Sequence, residues 1–314
     1  MADYKGIQGY SVQKLSDDPT ASEAKGQLWY NSSAGKFKIG VAGAGAWASG
    51  GTLNTGKENM GTFGIVSAAM GTGGRPGYQA TSETYNGTAW SEVNDLNDAR
   101  FGMGGAGTTT AGIVYGGETS GPPTVNTTNS EEWDGTSWTE GGNMNAARVY
   151  IGSFGTQTAA VGATGNGDSD ACVEYDGTSW GSGNNVNDGR YGVANNCSGT
   201  LTDGLITGGT STSTESYDGT TWTEETDSSI LAFGGGAGAT GSAAVFWCYE
   251  TSNITQTWNG SAWTTTTNYP ASVSNMGGCG TQDAALSIGG GPGGVTTSFE
   301  WDGTPVSAKT VTVS

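Results

Sequence analysis

The chain has 314 residues, including 58 glycines, 4 cysteines and no histidine, and carries a formal net charge of −18. That length can bury a sizeable core as a single domain. The glycines lack the three-residue period of collagen, and no apolar run approaches the ~20 residues of a membrane helix. Without histidine there is no Ser-His-Asp or Cys-His nucleophilic catalysis, no imidazole copper or zinc site and no near-neutral proton shuttle. An acidic body repels phosphate backbones, so nucleic acid is not an expected partner, and neither is membrane insertion.

From the N-terminus, Met1-Ala2-Asp3-Tyr4-Lys5 has no apolar h-region, so no secretory signal is read. Residues 1 to about 25 are polar, with a turn signal at Asp17-Asp18-Pro19-Thr20 and no helical or strand period. This predicts an extended arm. Residues 1–40 carry +1 and the remainder −19. Gly26-Gln27-Leu28-Trp29-Tyr30-Asn31 and Lys36-Phe37-Lys38-Ile39 alternate on either side of a turn at Ser32-Ser33-Ala34-Gly35, which predicts a hairpin. A boundary is drawn at 44/45, with an attachment arm and hairpin over 1–44 and a repeat body over 45–314.

The body is written around one six-residue stretch: aromatic, Asn or Asp, Gly, Thr or Ser, any residue, Trp. It begins at Tyr85, Trp133, Tyr175, Tyr217, Trp258 and Trp301. The last copy alone has Val306 at the Trp position. The glycines Gly87, Gly135, Gly177, Gly219, Gly260 and Gly303 stand 48, 42, 42, 41 and 43 residues apart. Asn-Gly or Asp-Gly between aromatics predicts six hairpin tips with type I′ turns. Around each tip lie four short extended runs, so each unit is an antiparallel sheet of four strands. Such sheets repeated at roughly 40 to 50 residues predict an all-β propeller of six four-stranded blades, with seven as the alternative if the early hairpin and Trp47 form one. The fourth strands are expected at Trp90, Trp138, Trp180, Trp222, Trp263 and Val306. The terminal Lys309-Thr310-Val311-Thr312-Val313-Ser314 would close the ring or protect an edge. The repeat tryptophans are read as inter-blade packing.

The body resembles the kelch-like repeat family. The resemblance rests on Gly73-Gly74, Gly116-Gly117, Gly208-Gly209 and Gly289-Gly290 closing second strands, the third-strand aromatic, and the Trp opening the fourth. A basic residue also lies ten positions after each early Trp, at Lys57, Arg100, Arg148 and Arg190. Ala232 and Val273 depart from that pattern, and Phe246-Trp247-Cys248 stands where a Gly-Gly pair is expected. The hairpin at 26–39 resembles a segment near the N-termini of bacteriophage tail-fibre and other virion proteins. Together with the repeats, it implies a virion structural protein made in the host cytoplasm and carried on the particle.

Loop insertions mark the working face. The long interval comes from Glu118-Thr119-Ser120-Gly121-Pro122-Pro123-Thr124-Val125-Asn126 between two strands. Arg75, Tyr78, Pro122, Pro123, Asp168, Asp170, Trp247 and Tyr249 are the rim residues nominated for binding a host-surface glycan or protein. Asn166, Asp168 and Asp170 alternate like calcium ligands, but the downstream glutamate of an EF-hand is missing. They are read as a polar turn, with a surface Ca2+ as the alternative and no other cofactor. Cys197 and Cys279 share the slot of Ala106 and Phe154, and the four cysteines, Cys172 and Cys248 included, are read as apolar filler rather than disulfides or a zinc site.

The expected function is a phage tail-fibre or receptor-binding component and not an enzyme. Other virion proteins would bind through residues 1–40, and a homo-oligomer is among the expected partners. One alternative is an architectural virion connector. Another is a sialidase-like glycosidase, but the Asp-Gly pairs are adjacent where a sialidase Asp-box has a residue between them. Arg100, Arg148 and Arg190 sit at one repeat slot, as structural residues would.

Overall fold

The computed structural model describes residues 12–19, 27–120, 125–193, 197–229, 233–247, 253–303 and 306–311. Their regular structure is entirely β, and the chain divides into two units, 1–46 with 303–314, and 47–302.

The larger unit holds six four-stranded antiparallel sheets. Blade 1 is formed by Gly61–Ile65, Ala68–Gly74, Gln79–Tyr85 and Trp90–Val93. The pattern recurs in blades 2 to 5 at 104–140, 152–182, 197–224 and 235–265. In the sixth, Gly277–Gly280, Ala284–Ile288 and Ser298–Asp302 are completed by Ala46–Ser49. The fourth strand expected at Val306 is therefore supplied from the other end of the repeat array, and Trp47 takes the Trp slot that Val306 leaves empty. The innermost strands neighbour one another in a closed cycle, and Thr62 Oγ1 of blade 1 donates to Gly278 O of blade 6 at 3.0 Å. This is a β-propeller.

Glycine crowds these inner strands because six backbones converge on one axis: a Cβ on Gly278 would lie 2.4 Å from Gly236 O of blade 5. The axis encloses a cavity of about 100 Å³, lined by Thr62, Gly105, Ser153, Cys197, Gly236 and Gly278 among others. Cys197 pairs with Ile206 and so occupies the slot of Gly105 and Ser153, one position from that expected. Cys279, opposite Leu286, does share the slot of Ala106 and Phe154. Cys172, Cys197 and Cys279 are buried and free, and burial pushes each thiol up to about 12.

The hydrophobic core lies between blades. Phe63 and Met70 of blade 1 pack with Met103, Val114, Trp133 and Trp138 of blade 2. Four of the six outer-strand tryptophans add a directional contact, whereas the Trp180 indole N–H is unpartnered among the described residues. Trp138 donates to Ser82 (3.2 Å), Trp263 to Thr214 (3.2 Å), Trp47 to Thr255 (2.9 Å) and Trp90 to Ser298 (3.5 Å), in each case a hydroxyl on the third strand of the preceding blade. Trp222 instead faces the thiol of Cys172, a weak acceptor, and its indole N–H has no other partner among the described residues.

The hairpin tips differ from the expected type I′ turn. Tyr85 pairs directly with Trp90, so four residues connect them, and of these only Gly87 has a positive φ (+88°). The Asn or Asp closes the loop through its side chain: Asn86 Oδ1 accepts N–H bonds from Thr88 (3.0 Å) and Ala89 (2.9 Å), and Asp134, Asp176, Asp218 and Asn259 do likewise. Those amide bonds hold the Asp134, Asp176 and Asp218 carboxyls below their ordinary range. The sixth copy, at Gly303, leads out of the propeller instead of turning back.

In the smaller unit the predicted hairpin forms from Leu28–Asn31 and Lys36–Ala42, with Gly35 at φ +64° in its turn. Gln13–Leu15, within the expected extended arm, pairs in parallel with Leu28–Asn31. Val306–Thr310 covers the other edge of the hairpin and does not close the ring. Asp18 gathers the unit's polar groups: Trp29 Nε1 (3.1 Å), Asn31 Nδ2 (2.7 Å) and Lys38 Nζ (2.5 Å) all donate to it. The Lys38 bond above all lowers its pKa.

Candidate binding site at the mouth of the axis

The four basic residues of the repeat slot lie inside the blades. Lys57, Arg100 and Arg190 have no exposure and Arg148 has 5%. Arg100 pairs with Glu131 at 2.5 Å and Arg190 with Glu215 at 2.7 Å, with all four side chains fully buried. Each carboxylate also takes the backbone N–H and side-chain amide of an asparagine, Asn97 for Glu131 and Asn187 for Glu215. Glu83 is held the same way by Asn54 in blade 1, where Lys57 donates to Thr81 O (2.9 Å). Arg148 has Val173 where the others have glutamate, so its guanidinium rests on the carbonyls of Ala171 (2.7 Å) and Thr164 (3.3 Å), and its Nε is unpartnered. Where the cation slot holds Val273, the acid slot holds Phe299. Ala232 lies outside the described residues.

These clamps fix the loops that enter the inner strands, and the loops surround one end of the axis. There the backbone forms a chain of blade-to-blade hydrogen bonds. Tyr150 N donates to Gly102 O (2.6 Å), Gly102 N to Asn59 O (2.7 Å), Asn59 N to Asn275 O (3.0 Å) and Asn275 N to Phe233 O (2.7 Å). The slot requires a left-handed backbone: φ is +52° at Asn59, +66° at Gly102, +60° at Tyr150, +82° at Gly192 and +54° at Asn275. Asparagine and glycine adopt this readily, but a tyrosine there is strained, and such strain concentrates at functional positions.

Around this mouth runs an arc of aromatic rings from five successive blades. Centroid separations are 5.5 Å for Tyr78–Phe101, 6.0 Å for Phe101–Tyr150, 6.5 Å for Tyr150–Tyr191 and 6.0 Å for Tyr191–Phe233. Tyr191 is the most open of these, at 37% exposure, whereas Phe101 is covered. Arg75 is what covers it, with the guanidinium carbon 3.8 Å from the Phe101 centroid. The backbone of Arg75 is tied in both directions to Glu58 (2.8 and 3.0 Å), which fixes the root of its side chain. The inserted stretch of blade 2 folds back onto the mouth: Glu118–Thr119 pairs with Arg100–Phe101 and with Val125–Asn126 in a small three-stranded sheet. Glu118 thereby meets Tyr78, whose hydroxyl donates to Oε1 at 2.7 Å, and that bond raises the phenol's pKa. Burial raises the Tyr150 phenol, against the positive charge of Arg75, with Glu118 and Glu58 adding to the rise.

Of the nominated rim residues, Arg75 and Tyr78 stand together at this mouth. Asp168 and Asp170 lie in the blade 3 loop, where Asp168 accepts from Thr210 Oγ1 (3.3 Å) and Asp170 from Asn185 Nδ2 (2.9 Å). Trp247 is not a rim residue. It continues the second strand in the slot of Tyr115 and Ile288, is fully buried, and donates to Ser287 Oγ (3.1 Å) beside Trp47 and Tyr269. Pro122, Pro123 and Tyr249 lie outside the described residues. Reading by repeats passed over Phe101, Tyr150, Tyr191 and Phe233, although the signal was there: an aromatic follows the basic slot by one or two positions in blades 2 to 4.

Such a mouth on a closed ring of sheets is that of a β-propeller with a ligand-sized aromatic rim. No family model and no curated sequence matches the chain. Among solved structures the fold is similar to the one titled "Structure of YjhT", with a TM-score of 0.65 and 11% identity over 82% of this chain and 99% of that chain. At that identity the likeness carries the fold.

Proposed function

We propose that the propeller is a saccharide-binding module and that its ligand lies on the arc from Tyr78 to Phe233. The arc itself carries this reading: the partly open rings of Tyr78, Tyr150, Tyr191 and Phe233, held in a chain of 5.5 to 6.5 Å contacts around the buried Phe101, offer apolar surface to sugar rings while tyrosine hydroxyls and carboxylates offer hydrogen-bond partners. The resemblance of the N-terminal hairpin to virion segments supports a particle-borne receptor-binding role, in which weak contacts are multiplied by copy number. An oligosaccharide array probed with the full chain and with Tyr191→Ala tests it. The exposed ring can be removed without touching the core, so binding is expected to fall about tenfold, or ~1.4 kcal/mol, with an unchanged melting temperature. Equal binding by the variant refutes the assignment of the arc.

A second reading is glycoside hydrolysis, favoured by Glu58 and Glu118 converging electrostatically on Tyr150. Release of reducing ends from a bound saccharide, abolished by Glu58→Gln or Glu118→Gln, would select it. Binding without release selects the module.

A further inference from the structure

The charges of the propeller are distributed unequally between interior and surface. Residues 47–302 contain 25 acidic and five basic side chains. Four of the five, Lys57, Arg100, Arg148 and Arg190, are buried in the blade clamps. The fifth is Arg75, the one fixed positive charge that an otherwise anionic propeller presents to solvent, and it stands on the aromatic arc.

A half-buried arginine in such a field would ordinarily be met by a neighbouring carboxylate. The two nearby acids are turned to other donors: Glu118 receives the Tyr78 hydroxyl at 2.7 Å and Glu58 Oε1 faces Gly293 N at 3.4 Å. Arg75 makes its side-chain contact through the face of the guanidinium, 3.8 Å above Phe101. Stacking uses that face and leaves the planar edge of N–H donors unengaged among the described residues. Its charge acts on the hydroxyls of both Tyr78 and Tyr150, so it is directed at the arc.

We propose that the saccharide held at the mouth carries an anionic group, a carboxylate or a sulfate, and that Arg75 binds it as a preorganised fork. The fork geometry suits a two-oxygen anion, and prior stacking removes much of the rotamer entropy that anchoring would otherwise cost. The surrounding negative field then selects against polyanions and in favour of a ligand with a single charge at this position. This rests on the reading of the arc as a saccharide site.

The test uses the full chain and three probes: a neutral galactan oligosaccharide ending in a single galacturonic acid, its methyl ester and a monosulfated neutral galactan oligosaccharide. Wild type is expected to bind the acid or the sulfate at least tenfold more tightly than the ester. Arg75→Gln should remove that preference, and Arg75→Lys should restore only part of it. Affinity for both the acid and the sulfate no higher than for the ester, or a preference that survives Arg75→Gln, overturns the proposal. In parallel, the Arg75 Nε–H resonance is followed by NMR during titration with glucuronate and with sulfate. If oligosaccharides fail to bind but this resonance shifts saturably, the anion site stands and the saccharide reading falls. If neutral glycans bind on the arc while the resonance stays fixed, the saccharide reading stands and the anion site falls.

Discussion

Removing Glu131 puts the blade clamp to a quantitative test. Its carboxylate lies 2.5 Å from Arg100 Nη2, with neither side chain exposed, and also accepts Asn97 N (2.7 Å), Asn97 Nδ2 (2.9 Å) and Asp98 N (3.2 Å). Glu131→Ala leaves a guanidinium inside the blade with the carbonyls of Asn129 (3.0 Å), Asp98 (3.3 Å) and Gly116 (3.4 Å) and a solvent-exposed Asp98 carboxylate at 3.8 Å, and removes the acceptor from three further N–H groups. Breaking a buried pair in this way costs about 3–5 kcal/mol. With roughly 2–4 °C lost per kcal/mol in chains of a few hundred residues, Tm should fall by on the order of 6–20 °C. The paired replacement Arg100→Met with Glu131→Leu should recover most of the loss, because the apolar pair has no charge to desolvate. Thermal melts followed by near-ultraviolet dichroism of the inter-blade tryptophans measure both. A Tm for Glu131→Ala within about 2 °C of wild type, or a double variant no better than the single one, would refute the reasoning.

Blade 3 supplies the converse. Val173→Glu gives Arg148 the partner it lacks and should be at least ~3 kcal/mol less destabilising than Val161→Glu, a carboxylate in the core without a cation, by urea unfolding. Cys172→Ser offers Trp222 the acceptor its counterparts have and should stabilise by ~0.5–1.5 kcal/mol in the same assay, whereas a loss would show that the thiol's packing matters more. Burial lowers the Lys57 ammonium from 10.5 to about 8, so between those values the unfolded chain binds more protons than the folded one and wild-type stability rises with pH. Relative to Lys57→Met, wild type should gain on the order of 3 kcal/mol between pH 7 and pH 10.5, a gap that a pH series of unfolding midpoints would show. With their thiols raised to about 12, Cys172, Cys197 and Cys279 should resist a thiol-disulfide reagent at pH 8 in a Cys248→Ser background and react once urea unfolds the ring.

Much of this architecture is legible in the residues. The six Asn/Asp-Gly copies mark the tips, the tryptophans mark outer strands, and the basic slot marks loops that need an internal cation. Turn type was less legible, because Asn-Gly favours φ > 0 at both residues only when the loop has two residues. Here the four-residue loop lets Asn86 Oδ1 take the amides of Thr88 and Ala89 instead. The rim was legible in part. Arg75 and Tyr78 sit in a loop of unusual composition, whereas Trp247 sits at a point where the repeat is irregular, and irregularity alone does not distinguish a rim from a core.

The sequence by itself determined the class of fold, since a hydrophobic face repeated every forty or so residues can be covered only by its neighbours in a stack or ring. Only the tertiary structure decided how the ring ends and what stands at its mouth. Closure joins Ala46–Ser49 to Ser298–Asp302 across most of the chain, and local pattern cannot choose between Trp47 and Val306 for the same outer edge. The arc combines Phe101 and Tyr191 from one repeat slot with Tyr150 and Phe233 from the next. Their convergence comes from the left-handed backbone slot and the curvature of the ring, neither of which is written at any single position.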